Sequence, residues 1–484
     1  MTDPHHSRLR WSLLSTFSTA AMQLVASVTI TRFLQPADYG LAAMAMLCYS
    51  MTGYLTQLGM GRAVVQKPGL TEGNIRAAFS LALLTGVGGF VILAALSPLL
   101  GQYFREPRLP IIIIAFGLNL IFQSASMVTG GLLRREFRIR DLAICDFLGY
   151  LLSTFGIGLP MAIKGFGVWA LVGSNVSQPL IVAIAYFIAR PHSLAPTFAR
   201  EDYSHITGFS GKATLTTAVE AAGGSLDTIV MGRIVSPAAL GLYNRSQTLS
   251  MMPGYNISMG LTRVFYPTLA RAAEHSLKDC HEILVKTERQ LMSLIFPFCA
   301  GAAIAAPTII PTIFGRQWTS AVPVYQVLCL AAALDASFHL PSIQLEVLSQ
   351  FRQKLILQVI FAVCFGAGIL LVAPRGGVVA VAFVLALLQA MRTFALHRLS
   401  ARSLGVSIFS ILRSWIPGLV CAAAVGALLD PVQNRLSGFA GLPAVLRLIA
   451  LILLSAATFF AVYRAFYRDS VYRPWLNLFK KQAL

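Results

Sequence analysis

The sequence predicts an all-α polytopic membrane protein with about 14 transmembrane helices. Two six-helix lobes would be related by a pseudo-twofold along the membrane normal, with an extra hairpin at the C-terminal end. Three observations predict this. First, the chain of 484 residues is 56% hydrophobic and only 12% charged, with a mean hydropathy of +0.70, whereas soluble domains carry about 25% charged residues. Second, apolar runs of about 20 residues recur along its whole length, enough to cross the ~30 Å hydrocarbon core. Third, part of the sequence occurs twice.

Taken in order, the candidate spans are roughly residues 11–31, 41–61, 77–100, 110–133, 142–163 and 167–189. The next six are roughly 213–234, 240–262, 290–313, 321–348, 355–373 and 376–396, and a final pair covers roughly 412–429 and 444–466. These give an N-lobe over 1–200, a C-lobe over 201–400, and over 401–484 a hairpin with a basic tail. Arg8 and Arg10 before an apolar run resemble the start of a signal peptide. That run continues to Thr31 without a clear cleavage site, so it is expected to be a retained first span. The seven cysteines form no CxxC pair, and most lie inside apolar runs, where they read as small core residues.

The net charge of +19 would suggest nucleic acid in a soluble chain, but its placement points elsewhere. With the N-terminus inside, segments on the cytoplasmic side hold 28 of the 38 Lys and Arg residues, which orients an even number of spans with both termini cytoplasmic. The dense clusters, Arg134-Arg135-x-x-Arg138-x-Arg140 and the stretch from Arg464 to Lys481, read as topology determinants and contacts for anionic membrane lipids. No nucleic-acid partner is expected.

Shifting the sequence by 201 positions aligns Arg32–Arg62 with Arg233–Arg263. Ten of the 31 positions coincide, among them Arg32/Arg233, Pro36/Pro237, Gly40/Gly241, Gly59/Gly260 and Arg62/Arg263. Chance would give roughly two, so the stretch is read as an internal repeat. Six spans separate the copies, which therefore share one orientation. Lys164-Gly165-Phe166-Gly167-Val168-Trp169-Ala170 and Arg375-Gly376-Gly377-Val378-Val379-Ala380 form a second matching pair. Parallel repeats of this kind place a substrate site where the lobes meet, near the midplane, with access alternating as they rock.

Several stretches resemble the polysaccharide-transporter branch of the multidrug/oligosaccharidyl-lipid/polysaccharide flippase superfamily. They are Arg32-Phe-Leu-Gln-Pro-Ala-Asp-Tyr-Gly40, Leu58-Gly-Met-Gly-Arg-Ala-Val-Val-Gln-Lys67, Asp227-Thr-Ile-Val-Met-Gly-Arg233, Gly241-Leu-Tyr-Asn-Arg-Ser-Gln247 and Phe314-Gly-Arg-Gln-Trp318. The resemblance covers most of the chain and implies a flippase of the bacterial inner membrane. Its substrate would be an undecaprenyl-diphosphate-linked oligosaccharide, moved from the cytoplasmic to the periplasmic leaflet for exopolysaccharide or lipopolysaccharide synthesis. A polysaccharide polymerase and co-polymerase are the expected protein partners. The second copy has Ala239 where the first has Asp38, so the turn itself does not require the acid.

An ionisable group at mid-span costs at least ~2.5–3.5 kcal/mol and usually faces a cavity or a partner. Glu220 and Asp227 lie seven residues apart on one face of span 7, with Gly223-Gly224 between them to loosen the helix. They are expected to take a coupling Na+ or H+. Asn244 and Arg245 on span 8 would join them against substrate, and the structural alternative is an ion pair between Asp227 and Arg245. Asp335 and His339, four apart on span 10, could relay protons or simply satisfy each other. Arg32, Arg62, Arg233 and Arg263 at the rims would hold a diphosphate bidentately; snorkelling explains their positions equally well. The mid-span polar residues Gln23, Gln57, Asn119, Gln123, Asp146, Asn175, Gln178, Gln358 and Gln389 would suit a sugar-lined cavity or interhelical hydrogen bonds.

No glycine-rich nucleotide loop, DxD motif or His/Cys cluster accompanies these residues, so neither an enzyme nor a metal or organic cofactor is expected. The competing function is a small-molecule antiporter of the multidrug branch.

Overall fold

The computed structural model describes residues 22–23, 25–56, 64–65, 69–195, 197, 223–438 and 443–466. Among these every regular element is helical. The first helices are α1 (Pro36–Thr56), α2 (Glu72–Phe104), α3 (Leu109–Arg135), α4 (Ile139–Ile163), α5 (Val168–Ala189) and α6 (Leu226–Ile234). They are followed by α7 (Pro237–Ala273), α8 (Leu277–Ile304), α9 (Ala306–Phe314) and α10 (Val322–Val347). The last three are α11 (Phe351–Leu404), α12 (Ile416–Gly438) and α13 (Ala444–Phe466).

Local chemistry sets the helix ends. At α2 the Thr71 hydroxyl accepts the Asn74 N–H at 3.2 Å while the Asn74 side chain accepts the Thr71 N–H at 3.3 Å, a reciprocal cap that satisfies two otherwise orphaned donors. At α8 Ser276 Oγ accepts the N–H groups of Lys278 and Asp279. Eight described helices are long and apolar enough to cross a membrane, or nine if α8 and α9, bent by 75°, make one broken span. The chain is a multi-pass membrane protein.

The eight or nine described spans do not reach the expected count of 14. The expected span at 11–31 lies mostly, and the basic stretch after residue 466 wholly, outside the described residues. At three other places the expected spans differ from the helices observed. The span expected at 290–313 is the α8–α9 pair, and its bend precedes Pro307, which lacks an N–H and clashes with the preceding turn. The spans expected at 355–373 and 376–396 run together as the 54-residue α11. A straight helix of that length would reach ~80 Å, but α11 breaks at Gly377, where φ is 59° and ψ is −158°. Only the last turns of the span at 213–234 are described, and there the helix is interrupted at Ser225 before α6 begins, close to the expected loosening at Gly223-Gly224.

The chain divides into two compact units, Met1–Asn244 and Arg245–Leu484. This boundary differs from the repeat boundary at residue 200 because α6 packs on α1 and α2, with Gly232 set against Phe104 and Met44. Within the first unit α2 and α3 pack through Ala77, Ala78, Ala82, Val128 and Leu132, small and branched residues that let helices approach closely. Within the second, α8 packs on α10 and α12, and α10 on α11.

The doubled stretch meets itself. A Cβ on Gly40 would lie 1.8 Å from the carbonyl oxygen of Pro237, and one on Gly241 would lie 1.8 Å from that of Pro36. Only glycine fits either place. The two turns are satisfied differently: Asp38 Oδ2 accepts the Gln35 N–H at 2.9 Å, while in the second copy Ser236 Oγ accepts the Ala239 N–H at 3.3 Å. A cap supplied from outside the aligned acid explains why Ala239 can stand where Asp38 does. The second repeated pair matches at the backbone too. Gly167 has φ 55° and ψ −130°, close to Gly377, in a region that side-chain-bearing residues rarely enter.

Candidate functional site

Asp335 on α10 is the centre of a charged network inside the spans of the second unit. Its Oδ1 accepts Arg392 Nη2 at 2.8 Å and also the Gln389 amide, both from α11. Arg392 is only 9% exposed. Its Nη1 donates to Gln358 Oε1 at 3.1 Å, and its guanidinium lies between the rings of Phe338 (4.0 Å) and Phe361 (4.2 Å). Arginine suits such a place because its planar fork bonds in two directions while its faces stack. His339 is the least committed member, with Nε2 3.7 Å from Asp335 Oδ2. Asp335 and His339 therefore do come together, but the main partner of the carboxylate is Arg392. In the sequence Gln358 and Gln389 stand as scattered mid-span polar groups, and Arg392 is not singled out. No sequence period pairs Arg392 with Asp335, 57 residues apart, because packing alone decides which faces of neighbouring spans meet.

A second cluster lies beside it. Glu288 on α8 and His397 on α11 are both fully buried, with His397 Nε2 3.3 Å from Glu288 Oε1. The same oxygen accepts Ser337 Oγ at 2.5 Å and the indole Nε1 of Trp415 at 3.1 Å. Sequence reading missed this pair because the expected spans began at 290 and ended at 396. The available signal was periodicity: Cys280, Leu284, Glu288, Leu291 and Ile295 share one buried helix face.

The remaining predicted residues are dispersed. Asp227 is buried, 5% exposed, in the first turn of α6, where its Oδ1 accepts the Thr228 N–H at 2.7 Å; a helix N-terminus favours the negative charge. Arg245 lies over the Phe314 ring at 5.4 Å, and Phe314 in turn packs on the fully buried Trp318. Asn244 is partly buried on α7 and Arg32 is exposed. Arg233 donates to the Tyr103 carbonyl at 3.0 Å and covers the Tyr103 ring, a structural contact that does not require substrate. Glu220 and Arg62 lie outside the described residues, as does the side chain of Arg263. In the Arg134–Arg140 cluster, Arg138 pairs with Asp141 at 2.6 Å and Arg135 donates to the Val64 carbonyl.

Five of the scattered polar residues converge. Asn119, Gln123, Asp146, Asn175 and Gln178 line one cavity of about 440 Å³ within the first unit. Of the other four, Gln358 and Gln389 join the Asp335 network, Gln23 is exposed, and Gln57 lies outside the described residues.

Among the described residues the fold is thus all-helical and multi-pass, with charged networks and a polar cavity set among its helices. Residues 29–323 match the family described as polysaccharide biosynthesis protein, and the chain belongs to that family. It is 26% identical over 335 residues to an uncharacterized membrane protein in the cps region of Klebsiella pneumoniae, covering 67% of each chain. It is 22% identical over 336 residues to the teichuronic acid biosynthesis protein TuaB of Bacillus subtilis, covering 68% of each. With the lipopolysaccharide biosynthesis protein WzxC of Escherichia coli the identity is 20% over 338 residues, covering 68% of this chain and 67% of that one. Among solved structures, the lipid II flippase MurJ in an inward closed conformation superposes with a TM-score of 0.72 at 12% identity, over 95% of this chain and 99% of that one. An inward-facing multidrug MATE transporter of the same superfamily gives 0.58 at 13% identity, over 79% and 94%. These two likenesses establish the fold, and the motif resemblance to the polysaccharide-transporter branch holds.

Proposed function

We propose that the chain is a flippase that moves an undecaprenyl-diphosphate-linked oligosaccharide from the cytoplasmic to the periplasmic leaflet of a bacterial inner membrane. Both termini face the cytoplasm, access alternates, and the product feeds exopolysaccharide or lipopolysaccharide synthesis. The substrate class is supported by relatives named for teichuronic acid and lipopolysaccharide biosynthesis. A fold shared over 95% of the chain with a protein named as a lipid II flippase favours a lipid-linked substrate over the small molecules of the multidrug branch, whose match is shorter.

The observation that carries active transport is the Asp335–Arg392–His339 network. Charges inside spans are retained where they do work or are paired, and here the pairing is uneven. Asp335 and Arg392 are bonded directly to each other, so the carboxylate oxygen Oδ1 is already committed. His339 faces the free side of that carboxylate at 3.7 Å and can accept a proton without breaking the Asp335–Arg392 bond. The coupling ion in this reading is H+, taken at His339, with Asp227 as a further buried carboxylate on the transport path.

Two measurements test it. A deletion strain with no second flippase should accumulate the lipid-linked oligosaccharide on the cytoplasmic leaflet, and normal surface polysaccharide in that strain overturns the flippase. In proteoliposomes, His339→Gln should abolish the stimulation of transport by a pH gradient. Undiminished stimulation removes His339 from the coupling role.

A further inference from the structure

The cavity in the first unit has a composition that selects for one kind of ligand. On α3 it is bordered at Asn119, Gln123, Met127, Gly130 and Arg134, and on α5 at Asn175, Gln178, Val182 and Tyr186. Those spacings of three and four are single helix faces, so two polar stripes line the same space. Tyr49 from α1 and Asp146 from α4 complete it. The only charges there are one guanidinium and one carboxylate, and the carboxylate already accepts the Tyr186 hydroxyl at 2.7 Å. A cation would need more carboxylates, and an anion more guanidinium groups. What remains is neutral: four amides, the Ser126 hydroxyl, which donates to the Gln123 backbone carbonyl, the Tyr186 hydroxyl already given to Asp146, and the Tyr49 hydroxyl, which the Gln123 amide contacts, beside the apolar Met46, Phe116 and Met127.

One of those amides is left unfinished. Asn119 is 3% exposed, borders the cavity, and its Oδ1 accepts no hydrogen bond. A buried acceptor without a donor costs what a bond to it would recover. Amides offer a donor and an acceptor side by side, matching hydroxyls that are each both. Aromatic and thioether walls suit the C–H faces of a ring. The volume of about 440 Å³ lies within the range of small-ligand sites.

We infer that this cavity is a subsite for a neutral, polyhydroxylated sugar residue, with Asn119, Gln123, Asn175 and Gln178 reading its hydroxyls. The inference rests on the flippase reading, since the sugar would arrive as part of the lipid-linked oligosaccharide. It assigns sugar recognition to the amides and leaves the diphosphate to other residues.

The test uses the full chain in nanodiscs and two probes: a short-chain polyprenyl diphosphate bearing a neutral disaccharide, and the same polyprenyl diphosphate without sugar. The wild type should bind the glycosylated probe about tenfold more tightly, the worth of one or two hydrogen bonds. Gln123→Leu and Gln178→Leu should lose that margin while their affinity for the sugar-free probe is unchanged. If Gln123→Leu does not fold, Asn175→Ala and Gln178→Ala, which only shorten half-buried side chains, are measured instead. Variants that keep the margin, or that weaken both probes equally, overturn the subsite. A wild type that binds both probes equally also overturns it while leaving the flippase intact, and one that binds neither probe overturns both.

Discussion

The indole Nε1 of Trp415 donates to Glu288 Oε1 at 3.1 Å, tying the turn before α12 to the middle of α8. His397 completes the site, with Nδ1 2.8 Å from the Thr393 carbonyl oxygen. A carbonyl only accepts, which assigns a proton to Nδ1. Nε2 then faces Glu288 Oε1 at 3.3 Å. Ser337 Oγ lies 3.3 Å from the same Nε2, so hydroxyl, imidazole and carboxylate form one buried cluster. Trp415→Phe removes one donor from a buried oxygen and should cost about 1–3 kcal/mol. His397→Ala removes a whole ring and leaves the buried Glu288 Oε1 without one of its partners, so it should cost more, about 3–5 kcal/mol. Thermal unfolding in detergent checks the order.

Arg392 offers a separable test of pairing. Arg392→Lys keeps the charge but loses the fork to Asp335 and Gln358 and the stacking on Phe338 and Phe361, so lysine should not rescue stability. In a double-mutant cycle, Asp335→Asn with Arg392→Gln should be less destabilised than the two single changes summed, by about 0.5–3 kcal/mol. Additive losses would show that the two side chains do not act on each other.

Glycine positions divide into two kinds with different expected costs. Gly40→Ala and Gly241→Ala press a methyl group against a backbone carbonyl, which cannot rotate away, and overpacking of that sort costs about 1–3 kcal/mol or more. Gly377→Ala has open space around it and pays only for its backbone conformation, about 1–3 kcal/mol. Replacing Gly377 by a D-alanine, which tolerates positive φ, should restore stability; the same replacement at Gly40 should not. Semisynthetic chains compared by thermal unfolding decide it.

His192, in the segment after α5, carries a pH dependence of known sign. Burial lowers its pKa from 6.5, the positive charge of Arg190 lowers it further, and the contact with the Ser193 carbonyl opposes both. Its Nε2 lies 2.9 Å from Thr129 Oγ1, and its ring packs on Phe79 and Phe187. The folded state therefore binds fewer protons than the unfolded one just below pH 6.5, and stability must fall as pH drops through that window. His192→Gln should flatten the fall between pH 7.5 and 5.5 in a melting experiment. A slope unchanged by the substitution would assign the dependence to other groups.

Spans and repeats were readable because bilayer crossing and duplication both leave long, redundant patterns. Asp335 and His339 were readable because four residues make one helical turn. Arg392 and Glu288 were not, since their meaning lies in partners 57 and 109 residues away, and no single-sequence period reports which faces meet. The amides Asn119, Gln123, Asn175 and Gln178 stood out one by one as costly in a span. Only the packing of α3 on α5 shows that they share one space.

Gly40 under Pro237, with Gly241 under Pro36, is the contact an isologous dimer makes when each subunit offers its partner the same patch. Neither copy can complete the contact from its own residues, so each turn is closed only by the other. A side chain gained by either glycine spoils a junction that both copies share, so elsewhere the copies are free to diverge, as Ala43 and Met44 have from Asn244 and Arg245, while here they must stay alike.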